Sequence, residues 1–259
     1  MIGNVIEFLM RIPLLLRVLI IGLIPASLTA LGTAPIFLGV RLGRKSLDVG
    51  MGFASGVMLV ASFTSLLIPA IERSDVKTVI IGFIIGVVTI KALDVIIPHE
   101  HGSIASGEGG LAIGLRRAQL MALAMIIHNI PEGMAVGATT IYSVADGLTI
   151  AFAIGLQDIP EGLAVAIPIL MITGNIGTSF IMGALSGLAE ALATMLPVLM
   201  VTYAQMTLPF VLSLASGAMI YVVIHEIIPE IYGHEYDELI TLGFFAGFLT
   251  MLVLDNLIG

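Results

Sequence analysis

Two short segments of this chain repeat one another and carry the polar side chains able to do chemistry. Residues 128–137 read HNIPEGMAVG and residues 157–166 read QDIPEGLAVA, identical at six of ten positions. Unrelated apolar helices share Ala, Val and Ile by chance; sharing Pro-Glu-Gly in the same register marks a repeat. Four residues separate His128 from Glu132, so on a helix the two stack on one face. Asn129 is turned about 100° from His128. Gln157, Asp158 and Glu161 repeat that geometry, and Glu190 adds a carboxylate in the next apolar run. Imidazole, carboxylate and amide oxygen together suit zinc, iron, manganese, cobalt or cadmium, whereas calcium and magnesium prefer all-oxygen shells. Met58 offers a thioether, although a lone methionine in an apolar helix is most often core.

The elements that must position these groups are membrane helices. Of 259 residues, 58% are hydrophobic and 11% charged, against roughly 25% charged in a soluble domain. About 20 apolar residues span roughly 30 Å of hydrocarbon as a helix. Runs of that length recur at 18–40, 49–71, 78–98, 118–144, 147–173, 176–203, 206–231 and 239–258, which predicts an all-α bundle of eight transmembrane helices. A barrel would show short alternating strands instead. The 29 glycines suit close helix packing in lipid. Residues 1–17, with Glu7, Arg11, Pro13 and Arg17, read as an interfacial segment ahead of a single domain over 18–259. No cleavable signal is read at the start. With no cysteine there is neither a disulfide nor a thiolate metal site.

Depth gives the repeat its meaning. His128 lies about 16 Å beyond Arg117 at roughly 1.5 Å per residue, near the bilayer centre, and Gln157, Asp158, Glu161 and Glu190 fall at similar depth. Each charge placed there costs about 2.5–3.5 kcal/mol on insertion scales. The groups survive if they face one another and share cations. Glu132, Asp158, Glu161 and Glu190 carry four negative charges when ionised, which two divalent cations cancel, with Glu132 or Glu161 as a bridge. One metal with two protons balances as well. Pro131 and Pro160 are expected to free carbonyls at Ile127 and Leu156, a break tolerated where it lines a cavity.

A second polar group falls nearer one face. His225 and Glu226, with Asp94 near the end of the third run, are candidates for a secondary or exit metal site, and His99 and His101 for catching metal in the loop. An interfacial pair and plain solvated histidines account for these residues too, and Lys91 can simply pair with Asp94. Glu72 at the opposite end is a candidate to attract cations at the entrance, or a solvated charge. The long connection around 99–117 is rich in Gly and Ser and is assigned no structure. Lys and Arg near span ends set orientation: Arg41, Arg44, Lys45, Arg116 and Arg117 point to the cytoplasm, against Arg11, Arg17, Arg73 and Lys77 outside. Both termini are then extracytoplasmic, in a multi-pass protein of the cell membrane.

These features predict transport of divalent metal ions by alternating access to a midplane site, with the metal as substrate rather than cofactor and no nucleic-acid partner. A proton-coupled exporter and a metal-selective channel are the alternatives. An intramembrane metalloenzyme fits poorly: no His-Glu-x-x-His occurs, and the spacing here is His-x-x-x-Glu rather than the Glu-x-x-His of di-iron bundles.

HNIPEG at 128–133, QDIPEG at 157–162 and HEIIPE at 225–230, in eight short-looped spans, resemble the ZIP (Zrt/Irt-like protein) metal transporters, and the Gln-Asp start of the second motif resembles their prokaryotic GufA-like branch. The resemblance implies a homodimer that takes zinc or a related metal into the cytoplasm. It implies a binuclear centre, with His128, Glu132, Gln157 and Glu161 and nearby Met58 at one metal, and Asn129, Asp158, Glu190 and the shared glutamates at the other. It also implies an elevator-like motion of the first, fourth, fifth and sixth spans. Two departures stand out: the loop keeps only His99 and His101 of the histidine-rich stretch many members carry, and Gln157 stands where many eukaryotic members have histidine.

Overall fold

Pro13 and Arg17 decide where the first span begins. In the computed structural model, which describes residues 2–39, 43–96, 111–204, 206–233 and 235–258, a short helix α1 (Ile2–Met10) precedes the long helix α2 (Leu14–Leu38). The Arg17 guanidinium folds back onto the carbonyls of Leu9, Met10 and Ile12 at 2.8, 2.9 and 3.0 Å. It thereby satisfies carbonyls that the end of α1 leaves open, and Pro13 supplies the fixed φ of −50° at the start of the new helix. The apolar span therefore starts four residues earlier than the expected residue 18.

The remaining helices are α3 (Arg44–Arg73), α4 (Val76–Ile96), α5 (Leu111–Tyr142), α6 (Val144–Thr173), α7 (Ile176–Thr202), α8 (Leu208–Ile231) and α9 (Asp237–Ile258). Seven of the helices from α2 to α9 are long and apolar enough to cross a membrane, and α5, at 32 residues, covers the expected fourth span as far as Tyr142. No strand occurs among the described residues. The connection expected to lack structure is partly helix, since α5 begins at Leu111. Asp75 opens α4 by accepting from the hydroxyl and backbone N–H of Thr78 at 2.7 and 3.0 Å. Those two bonds hold its carboxyl below the usual carboxylate range.

Neither Pro131 nor Pro160 ends its helix. Helices α5 and α6 continue in α form through Pro131 and Pro160. The departures fall in α3 and α8, which widen into π turns at Ser62–Leu67 and Val223–Ile227, just ahead of Pro69 and Pro229. Such turns insert a residue into the helical ladder and are frequent at functional sites.

Packing divides the bundle into three parts. Helices α2, α5, α6 and α7 all touch one another; α3 packs along α9, and α4 along α8. Glycine sets these approaches. A Cβ at Gly133 would overlap the Glu190 carbonyl oxygen, and one at Gly162 the Thr29 carbonyl oxygen, both inside the four-helix unit. At Gly56 a Cβ would overlap the Phe244 carbonyl, and at Gly217 the Phe83 carbonyl, locking α3 to α9 and α8 to α4. Among the described glycines, every such contact with a backbone oxygen of another helix lies within one of these three parts. Gly50, which faces the ring of Pro160, is the one that crosses between α3 and the four-helix unit.

The two outer pairs are copies of one another. ASGVM at 54–58 matches ASGAM at 215–219, and GFIIGVVTIKALD at 82–94 matches GFFAGFLTMLVLD at 243–255. The glycine contacts match as well: Gly86 meets Leu214 as Gly247 meets Phe53. Helix α3 is the second crossing and α8 the seventh, so the copies run in opposite directions, an inverted repeat of the kind that frames transporter sites.

The glycine contacts are testable by one methyl group. Gly56→Ala should lower the thermal unfolding temperature in detergent, at a cost of about 1–3 kcal/mol, because backbone rather than a flexible side chain must give way. Gly177→Ala, at a helix start with its nearest contact at 3.4 Å, should leave that temperature unchanged or raise it slightly.

Candidate metal centre

Three neighbouring helices of the four-helix unit bring the predicted residues together. Helix α5 supplies His128, Asn129 and Glu132, α6 supplies Gln157, Asp158 and Glu161, and α7 supplies Glu190; none is more than 2% exposed. Ligand atoms of His128, Glu132 and Glu161 lie within 4.8 Å of one another, and so do those of Glu132, Asp158 and Glu190. Glu132 belongs to both groups. The Gly133 contact explains the closeness of Glu190, since α7 can approach α5 only where no Cβ intervenes.

Local bonds aim these groups. The Gln157 amide donates to one oxygen of Glu132. The Thr29 hydroxyl on α2 lies 3.3 Å from Asp158 Oδ2 and 3.0 Å from the Pro25 carbonyl one turn earlier. What remains is an unusual set of empty lone pairs. His128 Nε2, Asn129 Oδ1, Glu132 Oε2, Gln157 Oε1, Asp158 Oδ1 and both carboxylate oxygens of Glu161 and Glu190 are buried without a hydrogen-bond partner. Among the described side chains, only Thr140 Oγ1 shares that condition elsewhere. Buried polar atoms are normally paired, and leaving one unpaired costs about 1–3 kcal/mol, more when charged. A concentration of acceptors with one imidazole nitrogen, all converging and none satisfied, has the donor set that could hold a cation.

The other expected positions separate. Met58 is fully buried in the apolar core that also holds Met134 and Ala135, just beyond Glu132. Glu226 lies against the centre rather than apart from it: His128 Nδ1 is 3.7 Å from Glu226 Oε2, across from α5 to α8. His225, its neighbour in sequence, is exposed and stacks near the Tyr221 ring with centroids 4.8 Å apart. Adjacent side chains on a helix point about 100° apart, and this pair lies in the π turn at Val223–Ile227. Glu72 is exposed and 3.7 Å from Arg73. Asp94 lies near the end of α4 with its side chain outside the described set, and His99 and His101 lie outside the described residues. Sequence reasoning missed Thr29. The only signal was a hydroxyl among small residues in an apolar helix, four residues after a proline.

Comparison with known proteins places the chain in a family. The sequence profile of the family described as ZIP Zinc transporter matches residues 97–255. The chain is 36% identical over 251 residues to the zinc transporter ZIPB of Bordetella bronchiseptica, covering 89% of this chain and 78% of that protein. It is 32% identical over 251 residues to the zinc transporter GufA of Myxococcus xanthus, covering 93% and 98%. The human zinc transporter ZIP11 is 30% identical over 319 aligned residues, covering 88% and 93%. With its helices, its buried carboxylates and these relatives, the chain belongs to the ZIP family, membrane proteins that transport divalent metal ions and are not enzymes.

Proposed function

We propose that this protein carries zinc, or a closely related divalent metal, into the cytoplasm through a two-metal centre that moves with the four-helix unit. The observation that carries the reading is the pair of three-ligand groups sharing Glu132. His128, Glu161 and one oxygen of Glu132 hold one metal, with Met58 and Gln157 as additional candidates. Asp158, Glu190 and the other side of Glu132 hold the second, with Asn129 beside them. Two divalent ions neutralise the four carboxylates, which is the condition for leaving them in hydrocarbon. Sharing a carboxylate draws two metals to roughly 4 Å, a usual two-metal separation.

The motion follows from the packing. Of the eight ligand candidates, seven ride on helices α5, α6 and α7, held with α2 by backbone contacts that leave no room for rearrangement inside the unit, and Met58 stands on α3. The boundary with α3 lacks such contacts and is crossed at Gly50 by a proline ring. A unit that is rigid inside and smooth outside moves as one body, carrying its metals past α3, α8 and α9. Metal then meets first one side of the membrane and then the other.

Glu226 acts through His128. A carboxylate near Nδ1 favours the tautomer whose Nε2 is free to bind metal and fixes the ring, as outer carboxylates do in other metal centres. Glu226 sits on the stationary side of the boundary, so its hold on the imidazole depends on where the four-helix unit stands.

Uptake of zinc into proteoliposomes tests the reading. Glu132→Ala and Glu161→Ala should reduce it to the level of empty vesicles; unchanged uptake in both removes the assignment. Zinc bound per chain should be about two equivalents, falling to about one in Glu190→Ala, and the two ions should appear as separate anomalous peaks. One equivalent in the parent protein, unaffected by that substitution, returns the centre to one metal with two protons. Glu226→Leu should weaken binding at the His128 position about 10–100-fold while the Asp158–Glu190 position keeps its affinity. Equal weakening at both positions would rule out a role through His128.

A further inference from the structure

The two helices that carry most of the centre are joined by a single residue, Ser143, between α5 and α6. Its hydroxyl accepts from the Asp146 N–H at 3.3 Å, and its own N–H bonds the Thr139 carbonyl at 2.8 Å. This turn has no slack. Whatever grips it grips the metal-bearing helices.

One side chain from outside the unit does so. Arg73 closes α3, and its guanidinium carbon lies 4.0 Å from the centre of the Tyr142 ring, the last residue of α5. Glu72, the neighbour of Arg73 in sequence, is 3.7 Å from the same guanidinium. Beside the stacked pair opens a cleft of about 750 Å³ between the turn and the start of α8, lined by Arg73, Tyr142, Ala145, Asp146, Leu208 and Pro209. Two polar contacts described across this boundary are less exposed: His128 with Glu226, and the Thr139 hydroxyl with the Ser65 carbonyl at 3.5 Å. The Arg73 side chain is 44% exposed. Water can therefore replace the ring as its partner at little cost, so this contact opens and closes readily.

We propose that Arg73 and Tyr142 form a releasable latch, which holds the α5–α6 turn against α3 and sets how often the cleft beside it opens. The inference rests on the four-helix unit moving as one body. Guanidinium over an aromatic face is an electrostatic attraction to the ring quadrupole, so the face matters and the phenol hydroxyl does not. A half-exposed contact of this kind supports a population shift of about two- to fivefold. That is enough to bias a transport cycle without trapping it.

The chain has no cysteine, so Ala145→Cys places a single thiol on the cleft. Its maleimide labelling rate in proteoliposomes reports opening, with and without zinc. Tyr142→Leu and Arg73→Ala should each speed labelling of the zinc-free protein about two- to fivefold. Tyr142→Phe should match the parent, and the double variant Arg73→Ala with Tyr142→Leu should match either single one. If Tyr142→Leu leaves the rate unchanged while zinc still alters labelling in the parent, the latch is wrong and the moving unit stands. The latch is equally wrong if Tyr142→Phe behaves as Tyr142→Leu, or if the two single effects add. Labelling that ignores zinc in every background overturns the moving unit, and the latch with it.

Discussion

Everything in this molecule answers to one constraint: four carboxylates lie buried together in the middle of an apolar bundle. Each costs about 2.5–3.5 kcal/mol to place at the centre of a membrane helix, and none has a lysine or arginine among its described ion-pair partners. The helices must therefore converge closely enough for the same cations to reach all of them. That demand accounts for the glycine at position 133, where any Cβ would push Glu190 away. It also accounts for Thr29 and Gln157, which bond single carboxylate oxygens while leaving the others open. A fully satisfied polar network would be more stable without metal and would bind it less well.

Much of this was legible in the sequence because it depends on local spacing. Residues four apart share a helix face whatever the tertiary fold, so His128 over Glu132 needs no structure to be seen. The repeat then says that two helices do the same thing at the same depth. Spans were legible because about 20 apolar residues admit few alternatives in a chain with 11% charged residues. What failed depended on contacts between segments. Arg17 reads from sequence as part of the interfacial segment 1–17; in the fold it bonds back onto three carbonyls, and α2 begins at Leu14. Glu226 and His225 read from sequence as one pair, but they face different neighbours, His128 and Tyr221. The inverted repeat of α3–α4 in α8–α9 escaped because its identities are mostly glycine and apolar residues, which any two membrane helices share. It becomes visible when the same glycines meet the same carbonyls.

The prolines show how far a residue rule reaches. Pro131 and Pro160 lack an N–H wherever they stand, so they weaken the ladder, yet α5 and α6 continue through them. In a tightly packed unit neighbouring helices hold the backbone in place. The irregular turns fall in α3 and α8 instead, ahead of Pro69 and Pro229. Those two helices are counterparts in the inverted repeat, so the irregularity belongs to the frame and occurs once in each copy. The frame adapts its shape, while the helices bearing the ligands stay regular.

That division bears on how a costly site can move at all. If the carboxylates were satisfied partly by groups on α3 or α8, any displacement would break bonds to buried charges, at about 3–5 kcal/mol for each pair broken. Here the bonds to Glu132 and Asp158 come from within the four-helix unit, through Gln157 and Thr29, and travel with it. The buried charged contact that does cross the boundary joins His128 to Glu226 at 3.7 Å. In the proposed centre its histidine binds metal as an imidazole with Nε2 free, a form it can keep with or without the carboxylate beside it. On the proposed motion the four clustered carboxylates lie where nothing slides, and the boundary holds an imidazole facing a carboxylate, a threonine hydroxyl, a proline ring and a half-exposed arginine.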